Sequence, residues 1–335
     1  MAVLNSLLDN YEIILFDMDG VITSEQNYWN CAALTVFEVL TSKQYLGSED
    51  FDAACAAEHC AQIREQVFFG DKTIAVLKDK GLNSNWDLGY VVILAALLLG
   101  GGADFEAVYR YVCTLGDNIL PEYDRLAALT AKATGRPTDW CRRLGTLWQT
   151  QQQLFQDWYL GTDKKPGLIR SEQPLIALPR LQHILSSLHA AGKRLGYGTG
   201  RQSFEVETPL KNWDVLGCFE PQRRISYDAV TDAETELAAA GHEARLTKPH
   251  PYMFWQGLYG LDTPAEKLLS GEYDRAQIQK LLVVGDAGAD ILAAQALGAD
   301  FCAVLTGVTG KAARPYFEEM GATYILDSIE DFVTD

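Results

Sequence analysis

Three segments of the chain repeat one pattern: a short unbroken apolar run, a glycine-bearing polar loop, then a stretch with helical spacing. Residues 13–16 (IILF) lead into DMDGVITSE, residues 194–197 (RLGY) into GTGRQS, and residues 281–284 (LLVV) into GDAGADI. Short apolar runs alternating with helical periodicity predict the strands of a parallel sheet covered by helices. Residues 225–227 and 301–305 read as further strands, and residues 324–326 as a last edge strand. Between them, 179–191, 231–240, 251–259 and 290–297 have helical spacing, with Gly192, Gly241, Gly260 and Gly298 as stop signals. In a sheet of this kind the loops at the carboxyl ends of the strands converge on one crevice. The three polar loops are therefore expected to meet.

The first and second of these loops lie about 175 residues apart, far more than one crossover helix requires. The intervening pattern is helical throughout, around 26–45, 50–69, 71–80, 84–99, 104–115, 121–134 and 138–160, with no convincing strand. The expectation is an α/β, Rossmann-like parallel sheet covered by helices, with a large all-helical cap domain inserted after the first strand. Residues 1–24 and 176–335 would form the core domain and 25–175 the cap, a lid over the crevice. The polar, proline-punctuated stretch 161–174 reads as the return linker. There Lys165 and Arg170 are either solvated or contacts for a second anionic group. Five cap tryptophans (Trp29, Trp86, Trp140, Trp148, Trp158) sit at spacings that suit a packed core better than a pocket lining. Extra sequence between residues 260 and 280 is expected to reshape one edge of the core domain.

Composition narrows the class. The chain has 335 residues, 48% hydrophobic and 22% charged, enough to bury a large core, and its ordinary glycine and proline content excludes a fibrous or low-complexity protein. The formal net charge of −17 repels phosphate backbones and anionic lipid, so neither nucleic acid nor a membrane surface is expected as a partner. A single phosphorylated metabolite stays compatible with it, because a local pocket holding a metal overrules the global field. The acidity belongs mainly to the predicted sheet domain: residues 25–175 hold 19 acidic and 14 basic side chains, the rest 26 and 14. The apolar run 90–99 is about half the length that spans a bilayer, and the start lacks the basic segment of a secretory leader. Seven scattered cysteines contain no CxxC pair. A soluble, reduced, cytoplasmic protein of open oligomeric state is the expectation. Cys55, His59 and Cys60 lack a second pair at zinc-ligand spacing and read as a helix face.

The candidate chemistry sits in the loops. Asp17 and Asp19 end the first strand two residues apart, which in extended chain turns both carboxylates to one side and Met18 to the other. A strand-end turn closing at Gly20 explains the same residues without chemistry. Asp286 and Asp290 follow the third apolar run; helix capping alone accounts for Asp290. Yet all four carboxylates would converge at one sheet edge, where a hard divalent ion with oxygen ligands, Mg²⁺ above all, relieves their repulsion. Thr199, Gly200 and Arg201 place a hydroxyl and backbone N–H groups before a helix, as an anionic oxygen requires, though Gly-Thr-Gly is also an ordinary turn. Lys248, held by Pro249 and Pro251, is either a charge-neutralising cation of that crevice or a solvated loop lysine.

Together, Asp17-Met18-Asp19-Gly20-Val21-Ile22-Thr23, Thr199-Gly200-Arg201, Lys248-Pro249 and Gly285-Asp286-Ala287-Gly288-Ala289-Asp290 resemble the four ordered motifs of the haloacid dehalogenase superfamily. The resemblance covers residues 10–24 and 176–330, and the insertion falls at that family's first cap site, at about twice the usual size. It implies that Asp17 is a nucleophile forming an aspartyl-phosphate and that Asp19 is the general acid and then base. Thr199, Gly200 and Lys248 would bind phosphoryl oxygens. Mg²⁺ would be held by Asp17, the backbone carbonyl of Asp19, and Asp286, with Asp290 assisting. The presence of Asp19 speaks against a dehalogenase. A Mg²⁺-dependent phosphatase for a small phosphorylated metabolite is the leading expectation. A mutase of the beta-phosphoglucomutase type, or a binding protein that kept the fold without turnover, are the alternatives.

Overall fold

The computed structural model describes residues 3–82, 84–269, 271 and 273–334. The chain divides into two compact units: Glu25–Ser171 forms one, and the residues up to Ser24 together with those from Glu172 onward form the other.

The larger unit is built on a six-stranded parallel sheet. Its strands are β2 (Ile13–Phe16), β3 (Arg194–Gly198), β4 (Phe219–Ile225), β5 (Leu281–Gly285), β6 (Asp300–Val304) and β7 (Tyr324–Leu326), in the order β4-β3-β2-β5-β6-β7. A small antiparallel pair, β1 (Val3–Leu4) with β8 (Val333–Thr334), joins the two ends of the chain. β2 and β5 consist of apolar residues and glycine because, as central strands of a parallel sheet, both their faces are covered. Alternate residues feed two separate cores. Ile14, Phe16, Leu282 and Val284 pack with Leu181, Ile184 and Leu188 of helix Leu178–Ala190. Ile13, Leu15, Leu281 and Val283 face Trp255 and Leu258 of helix Tyr252–Tyr259 and Ile291 of helix Gly288–Leu297. A Cβ at Gly198 would press on Met253 and Phe254, and one at Gly257 on Leu15, so these two glycines set how closely helix Tyr252–Tyr259 approaches the sheet.

One strand differs from its sequence expectation. A strand at 225–227 was expected, but β4 runs earlier, and residue 227 already begins helix Tyr227–Ala239. β4 lies at the sheet edge, where only one flank is paired, and its polar Glu220, Gln222, Arg223 and Arg224 mask it. Arg223 is nevertheless buried, because its guanidinium donates to the carbonyls of Gly257 and Leu258 and pairs with Glu220. Between Gly260 and Lys280 the chain forms two single-turn helices, Glu266–Leu269 and Arg275–Ile278.

The unit Glu25–Ser171 is helical, with Gln26–Thr41, Asn85–Leu98, Ile119–Thr134 and Thr146–Leu160 as its longest elements. Helix Asn85–Leu98 is apolar nearly all round and runs through the centre, which explains its lack of a polar face. Trp148 and Trp158 belong to this core and Trp29, Trp86 and Trp140 pack against it, so the aromatic spacing reports packing. Lys165 fits neither of its sequence readings. It is buried, with Nζ 2.8 Å from Glu38 Oε2, and Glu38 also accepts from Trp158 Nε1 at 2.9 Å. The local sequence hides this because Glu38 lies far away in the chain. Lys165→Met is expected to strand the Glu38 carboxylate and to cost about 3 kcal/mol, measurable as a lower urea midpoint. Arg170 is exposed. Cys55 Sγ lies 3.7 Å from His59 Nδ1, which also meets the Cys55 carbonyl at 2.8 Å, and burial pushes the Cys60 thiol up to about 11. No helix among the described residues is long and apolar enough to cross a membrane.

Candidate active site

Strand register brings the motif loops to one level. Phe16 lies opposite Tyr197 on one side and Val284 on the other. The next residues, Asp17 and the terminal glycines of β3 and β5, Gly198 and Gly285, therefore stand side by side at the carboxyl edge of the sheet. Asp17 N still donates to Val284 O at 2.8 Å, and Thr199 N to Ile225 O at 2.9 Å, so the first residues of these two loops are held by the sheet itself. Beyond Asp17 the chain folds into a tight turn: Ile22 N and Thr23 N both donate to Met18 O, and Gly20 N donates to Thr23 O. Gly20 takes φ +77°, which glycine accepts without strain, and Met18 is fully buried.

Lys248 is the electrostatic centre of the arrangement. Its Nζ lies 2.7 Å from Asp17 Oδ1 and 2.8 Å from Asp290 Oδ1, so it is a charge-neutralising cation and not a solvated lysine. Burial pulls this ammonium down, but the Asp17 and Asp290 carboxylates outweigh burial and hold it above the usual lysine range. Asp17 is pushed up to about 7, first by burial and then by the nearby Asp290 charge, against the pull of Lys248. Asp290 caps its helix and also meets the lysine. As the third residue of helix Gly288–Leu297 its Oδ2 accepts from Ala287 N at 3.3 Å, while its Oδ1 holds Lys248.

Asp17, Asp286 and Asp290 each offer an oxygen within 4.8 Å of the others, the only such group of potential metal ligands among the described residues. The donors are all hard carboxylate oxygens, the type that suits Mg²⁺ or Ca²⁺ rather than zinc. The backbone leaves room for Asp286 in particular. A Cβ built on Gly20 or on Gly307 would fall onto its carboxylate, so two bare Cα atoms cradle this side chain. Gly20 is further held by Thr306, whose Oγ1 donates to Gly20 O at 2.5 Å. The residues present thus fit a small oxygen-loving cation.

The carboxylate of Asp19 lies outside that group. It accepts from Thr23 Oγ1 at 3.0 Å and from Arg201, whose Nη2 is 2.6 Å from Oδ1. The two-residue spacing of Asp17 and Asp19 is therefore divided between a lysine and an arginine, because strand geometry ends at Phe16. Thr199 is buried and its Oγ1 accepts from Arg201 N at 3.2 Å; Gly200 is exposed. The N–H groups before helix Ser203–Asn212 are less open to an anion than the sequence suggested, since Ser203 N donates to Asp228 Oδ2 at 2.6 Å. The sequence gives no role to the side chains of Arg201 and Glu172 or to Gly307. Arg201 stands inside a recognised motif, whereas Glu172 lies in a stretch that reads as linker and carries no local signal.

Residues 245–332 match the HAD-hydrolase-like (haloacid dehalogenase-like) family model, a segment that contains Lys248, Asp286 and Asp290. No curated protein sequence matches the chain. A solved structure of a Northeast Structural Genomics Consortium target is 29% identical, covers 96% of this chain and 97% of its own, and superposes with a TM-score of 0.77. A candidate phosphoglycolate phosphatase from Lactobacillus delbrueckii subsp. bulgaricus is 19% identical over 96% of this chain and 95% of its own, at a TM-score of 0.49. A phosphatase from Thermococcus thioreducens is 16% identical over 86% and 90%, at 0.47. The segment that matches the HAD-hydrolase-like family model contains β5 with its acidic loop and the lysine that pairs with Asp17, and the remaining motif loops emerge at the same sheet edge, so residues 245–332 form a HAD-hydrolase-like segment.

Proposed function

We propose that this protein is a Mg²⁺-dependent phosphatase for a small phosphorylated metabolite, working through an aspartyl-phosphate on Asp17. The observation that carries the reading is Asp17 itself, a carboxylate at the sheet edge bonded to Lys248 and within reach of Asp286 and Asp290. Asp17 and Asp286, with the Asp19 carbonyl and Asp290 assisting, would hold the cation, whose chemistry is to offset negative charge between the carboxylates and an incoming phosphate. Lys248, Thr199 and Gly200 would bind the phosphoryl oxygens.

In this scheme a carboxylate oxygen of Asp17 attacks phosphorus and the ester P–O bond breaks. Asp19 gives its proton to the departing alkoxide. Asp19 then takes a proton from water, the water oxygen attacks the phosphorus of the aspartyl-phosphate, and inorganic phosphate leaves with Asp17 regenerated. Little covalent chemistry is asked of the protein; most of the acceleration is positioning and charge cancellation.

The reading is tested by phosphate release from p-nitrophenyl phosphate and a panel of phosphorylated metabolites, with Mg²⁺ and with chelator. Release that depends on Mg²⁺ and on Asp17 supports it. Turnover unaffected by chelator overturns the metal role, and isomerisation of a hexose 1-phosphate without free phosphate makes the protein a mutase. The glycine cradle supplies a separate check. Gly307→Ala must displace the Asp286 carboxylate, and the Mg²⁺ concentration for half-maximal activity should rise about 10-fold or more.

A further inference from the structure

Arg201 spends both edges of its guanidinium on carboxylates. On one edge Nε lies 3.1 Å from each Asp19 oxygen and Nη2 is 2.6 Å from Oδ1. On the other, Nη1 lies 2.9 Å from both oxygens of Glu172. Weaker contacts run to the carbonyls of Glu205 and Ser24. The Arg201 and Glu172 side chains are each 2% exposed. A buried guanidinium whose fork is filled in this way has little to offer a phosphoryl oxygen, unlike the lysine opposite it.

We propose that Arg201 and Glu172 are positioning residues for Asp19, a role that rests on the phosphatase reading above. The planar fork fixes the plane of the Asp19 carboxylate, which a point-like ammonium cannot do. Glu172 pins the guanidinium from its far edge. Without it, the guanidinium would be held on one edge only and could turn out of the plane of the Asp19 carboxylate. The hydrogen bonds are also uneven. Among the described residues, Oδ1 of Asp19 takes Thr23 Oγ1, Nε and Nη2, whereas Oδ2 has a shared contact with Nε. Oδ2 is therefore the oxygen that hands the proton to the leaving group.

A misplaced general acid hurts poor leaving groups more than good ones. The test compares kcat/KM, which covers steps through formation of the aspartyl-phosphate, for glycerol phosphate and p-nitrophenyl phosphate in the wild type, Arg201→Lys and Glu172→Gln. Both variants should lose about 10–100-fold on the alkyl ester and several-fold less on the aryl ester. Inhibition by inorganic phosphate should change little. Equal losses on both esters mean a structural role and overturn the proposal. So does a large rise in the inhibition constant for phosphate, which makes Arg201 an anion ligand. Thr23→Val removes one hydrogen bond to Asp19 without disturbing a buried charge, and should show the same bias at smaller size; no bias there counts against the proposal even if the other variants do not fold. A wild type inactive on both esters fails the phosphatase reading itself, which separates the two outcomes.

Discussion

Asp17→Asn is expected to reduce phosphate release by about 10⁴-fold or more while making the metal-free protein more stable at pH 8. On the proposed phosphatase reading, the first effect follows from replacing the attacking carboxylate with an amide that cannot form the phosphoryl ester. The second follows from the cost of ionising Asp17. Its folded-state value of about 7 stands above the ordinary carboxylate value of 3.8, because burial and Asp290 both oppose its charge. Between those values the folded protein keeps a proton that the unfolded chain has lost. Stability therefore falls as pH rises through this window, and stays reduced above it. Asparagine does not titrate, so the variant escapes the loss, worth about 2–4 kcal/mol at 1.36 kcal/mol per pH unit. Thermal unfolding with chelator at pH 8 and pH 4 measures it: the variant's advantage should shrink at the lower pH. Saturating Mg²⁺ should narrow the gap at pH 8, because it stabilises wild type more than the variant.

Lys248→Met should act with the opposite sign on stability. It removes the cation that contacts Asp17 and Asp290 together, and leaves buried carboxylates facing one another. A loss of about 3–5 kcal/mol is expected at pH 8, smaller at pH 5 where Asp17 can hold a proton. On the proposed reading, activity should fall by about 10²–10³-fold, since a donor to the phosphoryl oxygens and the partner that orients the nucleophile disappear together. Combining it with Asp17→Asn should recover part of the stability, because the two changes share one interaction. A double variant whose losses simply add would show that Lys248 and Asp17 do not act as the pair their 2.7 Å separation indicates.

Three of the four motif loops were legible because each follows a short, largely apolar strand, and strand register does the rest, whereas Lys248 lies between two helices. β2, β3 and β5 are parallel neighbours, so residues at the same offset past each run must emerge together. β4 was harder to place because an edge strand tolerates the arginines and glutamate that break the apolar signal. Lys165 was misread for a related reason: its pairing with Glu38 joins positions whose neighbours in sequence say nothing of each other.

The order of elements, the all-helical nature of 25–175 and the gathering of the Asp17, Asp286 and Thr199 loops at one edge follow from local periodicity together with the parallel-sheet rule. The partner of each charge does not. Asp17 and Asp19 are near-identical in sequence context, yet one rests on a lysine shared with Asp290 and the other on an arginine shared with Glu172. Which cation meets which carboxylate depends on distances of a few ångströms between loops far apart along the chain. Only the packed sheet and its helices set those distances, since Coulomb and hydrogen-bond energies change steeply over that range.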